Sequence, residues 1–106
     1  METAYALVLT TVESYLTAVQ IAKILVTERL AACCTILPNA ISFFEWEGKL
    51  DERKENVVLI KTTKNKIEPL KDRLAELHPD EVPEIIALKI EDGLEAYLLW
   101  VKEMTK

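Results

Sequence analysis

Apolar positions recur along this chain with two periods, and each period predicts one type of regular structure. Residues 4–12 form an almost continuous apolar and β-branched run, which is typical of a strand buried on both faces. The next segment has its apolar residues at the i, i+3, i+4, i+7 spacing of an amphipathic helix: Ala18, Ile21, Ala22 and Leu25. Ser14 is placed to cap this helix, which we expect to end near Leu30.

The middle of the chain predicts a long β-hairpin. Residues 33–37 are apolar, Pro38-Asn39 indicates a bulge, and extended chain resumes over residues 40–46. Glu47-Gly48-Lys49 is a hairpin turn signal, and residues 57–63 form the returning strand. About a dozen residues flank the turn on each side, which is more than the roughly 5–6 of an ordinary strand. An arm of this length outgrows a small core, so a neighbouring subunit is the simplest cover for it.

The second half of the chain predicts a helix, a strand and a terminal helix. The apolar stripe of the first of these helices is Ile67, Leu70, Leu74 and Leu77. Pro69 predicts an irregular start, and His78-Pro79 ends the helix because the residue before proline avoids the α region. Residues 82–90 form the last strand, and a short helix follows Asp92-Gly93. The order βαββαβ with an extra helix predicts an α+β, ferredoxin-like plait.

Such a plait covers only one face of its sheet with helices. We expect the other face to carry apolar residues such as Leu7, Leu9, Val58 and Ile60. An exposed apolar sheet of that size marks an interface, so association through the sheets is predicted.

Composition narrows the classes of partner. The 106 residues suit one domain over residues 1–106, and half of them are hydrophobic. The net charge of -5 and the scattered basic residues argue against nucleic acid as a partner. The first residues show no basic and apolar leader, and no apolar run approaches the length of a membrane span. We therefore expect a cytoplasmic protein with no membrane partner.

Several short motifs, in order across nearly the whole chain, resemble those of the CutA divalent-cation tolerance family. They are Glu28-Arg29-Leu30-Ala31-Ala32-Cys33, Trp46-Glu47-Gly48-Lys49, Ile60-Lys61-Thr62, His78-Pro79, Glu81-Val82-Pro83-Glu84-Ile85 and Tyr97-Leu98-x-Trp100. The resemblance implies a ferredoxin-like homotrimer with interlocking hairpins. It also implies tolerance of divalent cations, with copper(II) or another divalent ion bound, no organic cofactor and no settled reaction.

The residues that these motifs carry over fall into two sets, a metal set of His78, Cys33 and Glu84 and an inter-subunit cleft set of Lys61, Arg29 and Trp46. One chain offers two Cys, one His and two Met, without CxxC spacing, so we expect metal affinity to depend on assembly. Cys33 also suits a plain packing role, and Cys34 should point to the opposite strand face. Asp80 and Phe44 stand where the family commonly has tyrosines.

Two other functions stay open on the sequence. An effector-sensing signalling trimer would bind a small anionic ligand in its inter-subunit clefts through Lys61, His78 and Arg29. An enzyme would use His78 with Glu84 as an acid–base pair. No nucleophile, base and orienting group occur together, so we do not expect an enzyme.

Overall fold

Four strands and three α-helices make up the protein in the computed structural model, which describes residues 3–106. They are β1 (Tyr5–Val12), α1 (Tyr15–Thr27), β2 (Cys33–Trp46), β3 (Lys49–Thr63), α2 (Ile67–Leu77), β4 (Ile85–Ile90) and α3 (Glu95–Met104). The strands form one antiparallel sheet in the order β2-β3-β1-β4. This confirms the predicted plait with its additional C-terminal helix. No helix within residues 3–106 has the length and apolarity that a membrane span requires.

The two helices of the plait begin and end for reasons visible in the sequence. The Ser14 hydroxyl accepts a hydrogen bond from the Thr17 N–H at 3.2 Å and caps α1. This helix ends at Thr27, earlier than predicted, because Arg29 turns the chain with a φ of 60°. A 3₁₀ turn over Lys64–Lys66 precedes α2, and Pro69 lies in the first turn of α2. The predicted irregular start is confirmed.

The core lies between α1, α2 and one face of the sheet. Its fully buried residues include Val8, Val12, Ala18, Leu25, Val58, Ile60, Leu70 and Leu74. Burial along β1 alternates strictly, so its even-numbered residues face the helices and its odd-numbered residues are only half-buried. The prediction of a strand buried on both faces was therefore only partly right, because one face of β1 is buried and the other is half-buried.

The open face of the sheet carries a different set of residues from the one predicted. Leu7 and Leu9 do lie on it, opposite Leu88 and Ile86 of β4. Val58 and Ile60 were assigned to it wrongly, since both are fully buried on the helix face. The apolar run of β3 is continuous, so hydrophobicity alone did not reveal which alternate residues face the helices.

The β2–β3 hairpin extends far beyond the core, and the Cα positions span 48 × 25 × 22 Å. Glu47 and Gly48 both have positive φ and form a two-residue turn that closes on the Trp46–Lys49 pair. The predicted bulge is present between Leu37 and Ala40, where Asn39 has a φ of 63°. The long arm predicted from the sequence is confirmed.

β4 begins at Ile85, three residues later than predicted. Residues 78–84 form the irregular connection to β4 and contain both Pro79 and Pro83, which have no N–H to donate to a ladder. After β4, α3 packs against β3 through Val101, its one buried residue.

Candidate functional site

Two strands and α3 bring four polar side chains together at one corner of the open sheet face. Cys33 opens β2 and lies directly opposite Lys61 of β3. The Cys33 thiol is 3.5 Å from the Tyr97 hydroxyl on α3, and the Lys61 ammonium donates to the Thr35 hydroxyl at 2.6 Å. We call these four residues, Cys33, Thr35, Lys61 and Tyr97, the Cys33 corner. It combines a soft sulfur ligand, a phenol and a cation.

The two cysteines lie in different environments, as their alternation predicted. Cys33 is on the open face and partly accessible, whereas Cys34 pairs with Ile60 and packs against the core. Burial, reinforced by the neighbouring Cys33, raises the pKa of the Cys34 thiol to about 12, although Lys61 acts in the opposite direction. Cys34 is therefore a protonated core residue and Cys33 is the thiol open to ligands.

Tyr97 is a residue of this corner that the sequence analysis included only in the Tyr97-Leu98-x-Trp100 motif, without assigning it a role in the site. Its hydrogen bond with Cys33, helped by partial burial, raises the pKa of its phenol to about 12. Its ring lies 5.7 Å from that of Trp100, so the two aromatic side chains pack against each other on α3. The Tyr97-x-x-Trp100 spacing was the available signal, because i and i+3 share a helix face.

The cleft set does not come together within one chain. Arg29 follows α1 and its guanidinium donates to the Met104 carbonyl oxygen at 3.4 Å, at the end of α3. Trp46 is at the hairpin turn, twelve residues along the β2–β3 ladder from Lys61, which is roughly 40 Å at strand rise. A cleft with all three residues therefore requires different subunits.

His78 lies at the opposite end of the sheet from the Cys33 corner. It is buried and follows the last residue of α2. Its Nδ1 accepts a hydrogen bond from the Asp80 N–H at 3.1 Å, so Nε2 carries the hydrogen and donates to the Thr11 carbonyl at 2.8 Å. Both ring nitrogens of His78 therefore form hydrogen bonds with the backbone, and a metal ion bound to His78 would have to displace one of them.

The predicted metal set is likewise dispersed. Glu84 is exposed just before β4, and His78 is two strands and about four residue positions away from Cys33. Within the described residues, no group of three His, Cys, Asp or Glu side chains is placed to hold one metal ion. A site that uses His78, Cys33 and Glu84 together would need more than one subunit.

A second polar cluster, around Arg53, was not found from the sequence. Arg53 on β3 contacts Asp80 through Nη2 at 3.1 and 3.2 Å, and its Nε lies 3.1 Å from Glu13 and 3.3 Å from Glu55. The nearly buried Glu55 carboxylate also accepts from the Ser42 hydroxyl at 2.6 Å. Hydrogen bonding to Asp80 raises the pKa of the Arg53 guanidinium. Arg53 therefore connects the hairpin to the β1–α1 connection through Glu13 and to the α2–β4 connection through Asp80.

We expect Arg53→Met to lower the free energy of unfolding by about 1–3 kcal/mol. The substitution keeps the apolar stem but leaves the Glu55 carboxylate, whose side chain is only 8% exposed, without its cation. Solvent screening of the half-exposed partners keeps the loss below that of a fully buried pair. Urea unfolding at fixed protein concentration measures it. Lys54→Met is the matched control, since Lys54 is exposed and forms no ion pair within residues 3–106; equal losses in both variants would contradict the assignment.

A family model described as CutA1 divalent ion tolerance protein matches residues 6–104 of the chain. The divalent-cation tolerance protein CutA of Thermus thermophilus is 48% identical over 98 residues, which cover 92% of this chain and 95% of that protein. The human protein CutA is 42% identical over 87 residues, covering 82% of this chain and 49% of the human protein. The chain thus spans about half the length of that human relative.

Solved structures match over the full fold. The Cut A1 protein of Thermus thermophilus superposes with a TM-score of 0.92 at 46% identity, covering 96% of this chain and 99% of that one. The CutA1 structure from Ehrlichia chaffeensis gives a TM-score of 0.95 at 26% identity, with 100% and 99% covered. The matches therefore include the sheet, the long hairpin and α3.

Proposed function

Since the chain belongs to the CutA1 family of divalent-ion tolerance proteins, we propose that it acts as a cytoplasmic homotrimer that binds copper or a similar divalent cation, without catalytic turnover. The observation that carries the metal proposal is the Cys33 corner. It offers a partly accessible thiol beside a phenol, and thiolates suit copper(I) and zinc. The divalent-ion relation comes from the family name.

The trimer proposal is supported by apolar surface that one chain leaves uncovered. Ile86 and Leu88 on the open sheet face are both 48% exposed, and Phe43, Trp46 and Leu50 on the hairpin are more exposed still. Exposed large apolar side chains in this number are typical of subunit interfaces. A neighbouring subunit would cover the hairpin and the open face at once.

Assembly into a trimer would also bring metal-binding side chains from several chains together. One chain does not gather His78, Cys33 and Glu84, so a site containing them would take residues from neighbouring subunits. We propose Cys33 as the principal ligand. His78 and Glu84 stay predictions, and His78 would have to give up a hydrogen bond to serve.

We expect saturable binding of Zn²⁺ and Cu²⁺ at micromolar concentration, weakened at least about tenfold in Cys33→Ala. Zn²⁺ is titrated beside Cu²⁺ because it has no redox chemistry with thiols. Isothermal titration measures the affinity, and the matched control is Cys34→Ala, which removes the neighbouring thiol on the core face. Absence of saturable binding, or equal affinity in Cys33→Ala, would contradict the proposed ligand.

Leu88→Asp on the same protein separates the trimer proposal from the ligand proposal. We expect it to change the sedimenting species from three chains to one, because a charge on the open face opposes sheet association. Loss of metal binding together with the trimer would indicate a shared site. A trimer that survives this substitution would contradict association through the open face.

A second candidate, the effector-sensing trimer, is favoured by one observation. The Lys61 ammonium lies on the open face beside β2, where an anionic ligand would find a cation. A metabolite screen by thermal shift tests it, because a ligand of the folded state raises the melting temperature. The effect should disappear in Lys61→Met.

A further inference from the structure

A cavity of about 660 Å³ lies where the C-terminal end of α3 meets the junction of β3 and α2. It is an open groove, and its floor includes the buried side chains of Thr63 and Thr105. Its rim carries Lys64, Lys102 and Lys106. It is separate from the Cys33 corner, because none of the four residues of that corner lines it.

The charge of this cavity is opposite to that of the whole chain. Among the described residues, three lysines line it and no Asp or Glu does so, whereas the chain as a whole carries a net charge of -5. Within residues 3–106 neither Lys64 nor Lys102 forms an ion pair, and Lys106 pairs with Glu103 at 2.9 Å. Two ammonium groups are therefore available to an anion in a place where no acidic side chain of the described lining repels it.

The remaining polar groups of the cavity also favour an acceptor ligand. The Thr63 hydroxyl donates to Oδ1 of Asn65 at 2.5 Å, which leaves the Asn65 NH₂ as the donor end of that amide. The Thr105 hydroxyl donates to the Val101 and Lys102 carbonyls, at 3.0 and 3.2 Å. The hydroxyl hydrogens of Thr63 and Thr105 are thus used internally, and the other side-chain donors of the lining are the lysine ammonium groups, the Asn65 amide and the Thr3 hydroxyl.

We infer that this cavity binds a compact anion that carries phosphate groups, held by Lys64 and Lys102 together with the Asn65 amide of the same lining. Ammonium groups bind phosphate as point charges, and the volume admits a diphosphate-sized group. No aromatic side chain of residues 3–106 lines the cavity, so this part of the chain provides no stacking surface for a nucleobase. This site is independent of the proposed metal function and uses none of its residues.

The probe is inorganic diphosphate, titrated calorimetrically into the metal-free full chain at low ionic strength. We expect saturable binding in the submillimolar range, weakened at least about tenfold in the Lys64→Ala/Lys102→Ala double variant and reduced by added salt. In a two-dimensional NMR spectrum the amides of Asn65 and Thr105 should shift during the titration. The melting temperature of each variant shows that it is folded.

Lys23→Ala/Lys49→Ala is the matched control, because it removes the same charge from two exposed lysines outside the cavity. We expect it to bind diphosphate within about twofold of the unmodified protein. Equal weakening in the two double variants would show attraction by overall charge and would overturn the site. Absence of saturable binding below about 5 mM would overturn it as well. Loss of Zn²⁺ binding in Cys33→Ala leaves this titration unchanged, so the two proposals fail separately.

Discussion

Leu25→Ala lowers the free energy of unfolding by about 2–5 kcal/mol, the range expected when a buried leucine is truncated and its neighbours cannot close the space. Leu25 is fully buried in α1 and belongs to the cluster that joins α1 to the sheet and α2. The measurement is urea unfolding followed by circular dichroism. Protein concentration is held fixed, because the stability of an oligomer depends on it.

The same helix supplies the control for this experiment. Leu16 is 67% exposed in the first turn of α1, so Leu16→Ala removes the same atoms from a position that the core does not use. We expect a change within about 0.5 kcal/mol. The helix propensities of leucine and alanine are close, so burial accounts for the difference between the variants. Equal losses at the two positions would contradict this assignment of the core.

Cys34 should react with iodoacetamide about a thousandfold more slowly in the native protein than in urea at pH 8. Burial raises its pKa from 9.0 to about 12, and only the thiolate is nucleophilic, so the reactive fraction falls by about three orders of magnitude. The Cys33→Ala variant isolates the thiol for this measurement, since the chain has two cysteines. The native rate should rise about tenfold per pH unit between pH 8 and 10 without levelling.

The Cys34→Ala variant isolates Cys33 and gives the reaction rate of that thiol under the same conditions. A native Cys34 that reacts within about tenfold of its rate in urea would contradict its burial.

The raised pKa of the Cys34 thiol also affects how the stability of the fold depends on pH. The native state keeps a proton that the unfolded thiol loses above about pH 9, so the contribution of Cys34 is present below that pH and declines as the pH rises towards 12.

Much of the fold was predictable because its signals are local. The Ser14 cap, the apolar stripe from Ala18 to Leu25 and the Glu47-Gly48 turn each depend on residues close in sequence. The bulge at Pro38-Asn39 was equally visible. Resemblance to the family then supplied the expectation of a homotrimer, which no local pattern contains.

What the sequence did not reveal depends on long-range contacts. Arg53 meets Asp80 and Glu13 only after the chain has folded, and these partners lie 27 and 40 positions away. His78 showed its helix-ending role but not its hydrogen bond to the Thr11 carbonyl. The face of Val58 and Ile60 was misassigned because an unbroken apolar run contains no alternation to interpret. The neighbouring strand β1 alternates in burial, but its sequence did not show this alternation because residues of both faces are apolar or β-branched.

The bulge in β2 has a consequence for how the hairpin can vary over evolutionary time. Two residues of β2, Pro38 and Asn39, lie opposite the single residue Asn56, so the bulge moves the side chains beyond it by one step of the pleat. Because of this step, Ser42 lies opposite Arg53, and both side chains contact the Glu55 carboxylate. A further single insertion or deletion would invert every side chain out to the turn. Descendants of this chain can therefore lengthen or shorten the arm only in paired increments, with the bulge inherited as a unit.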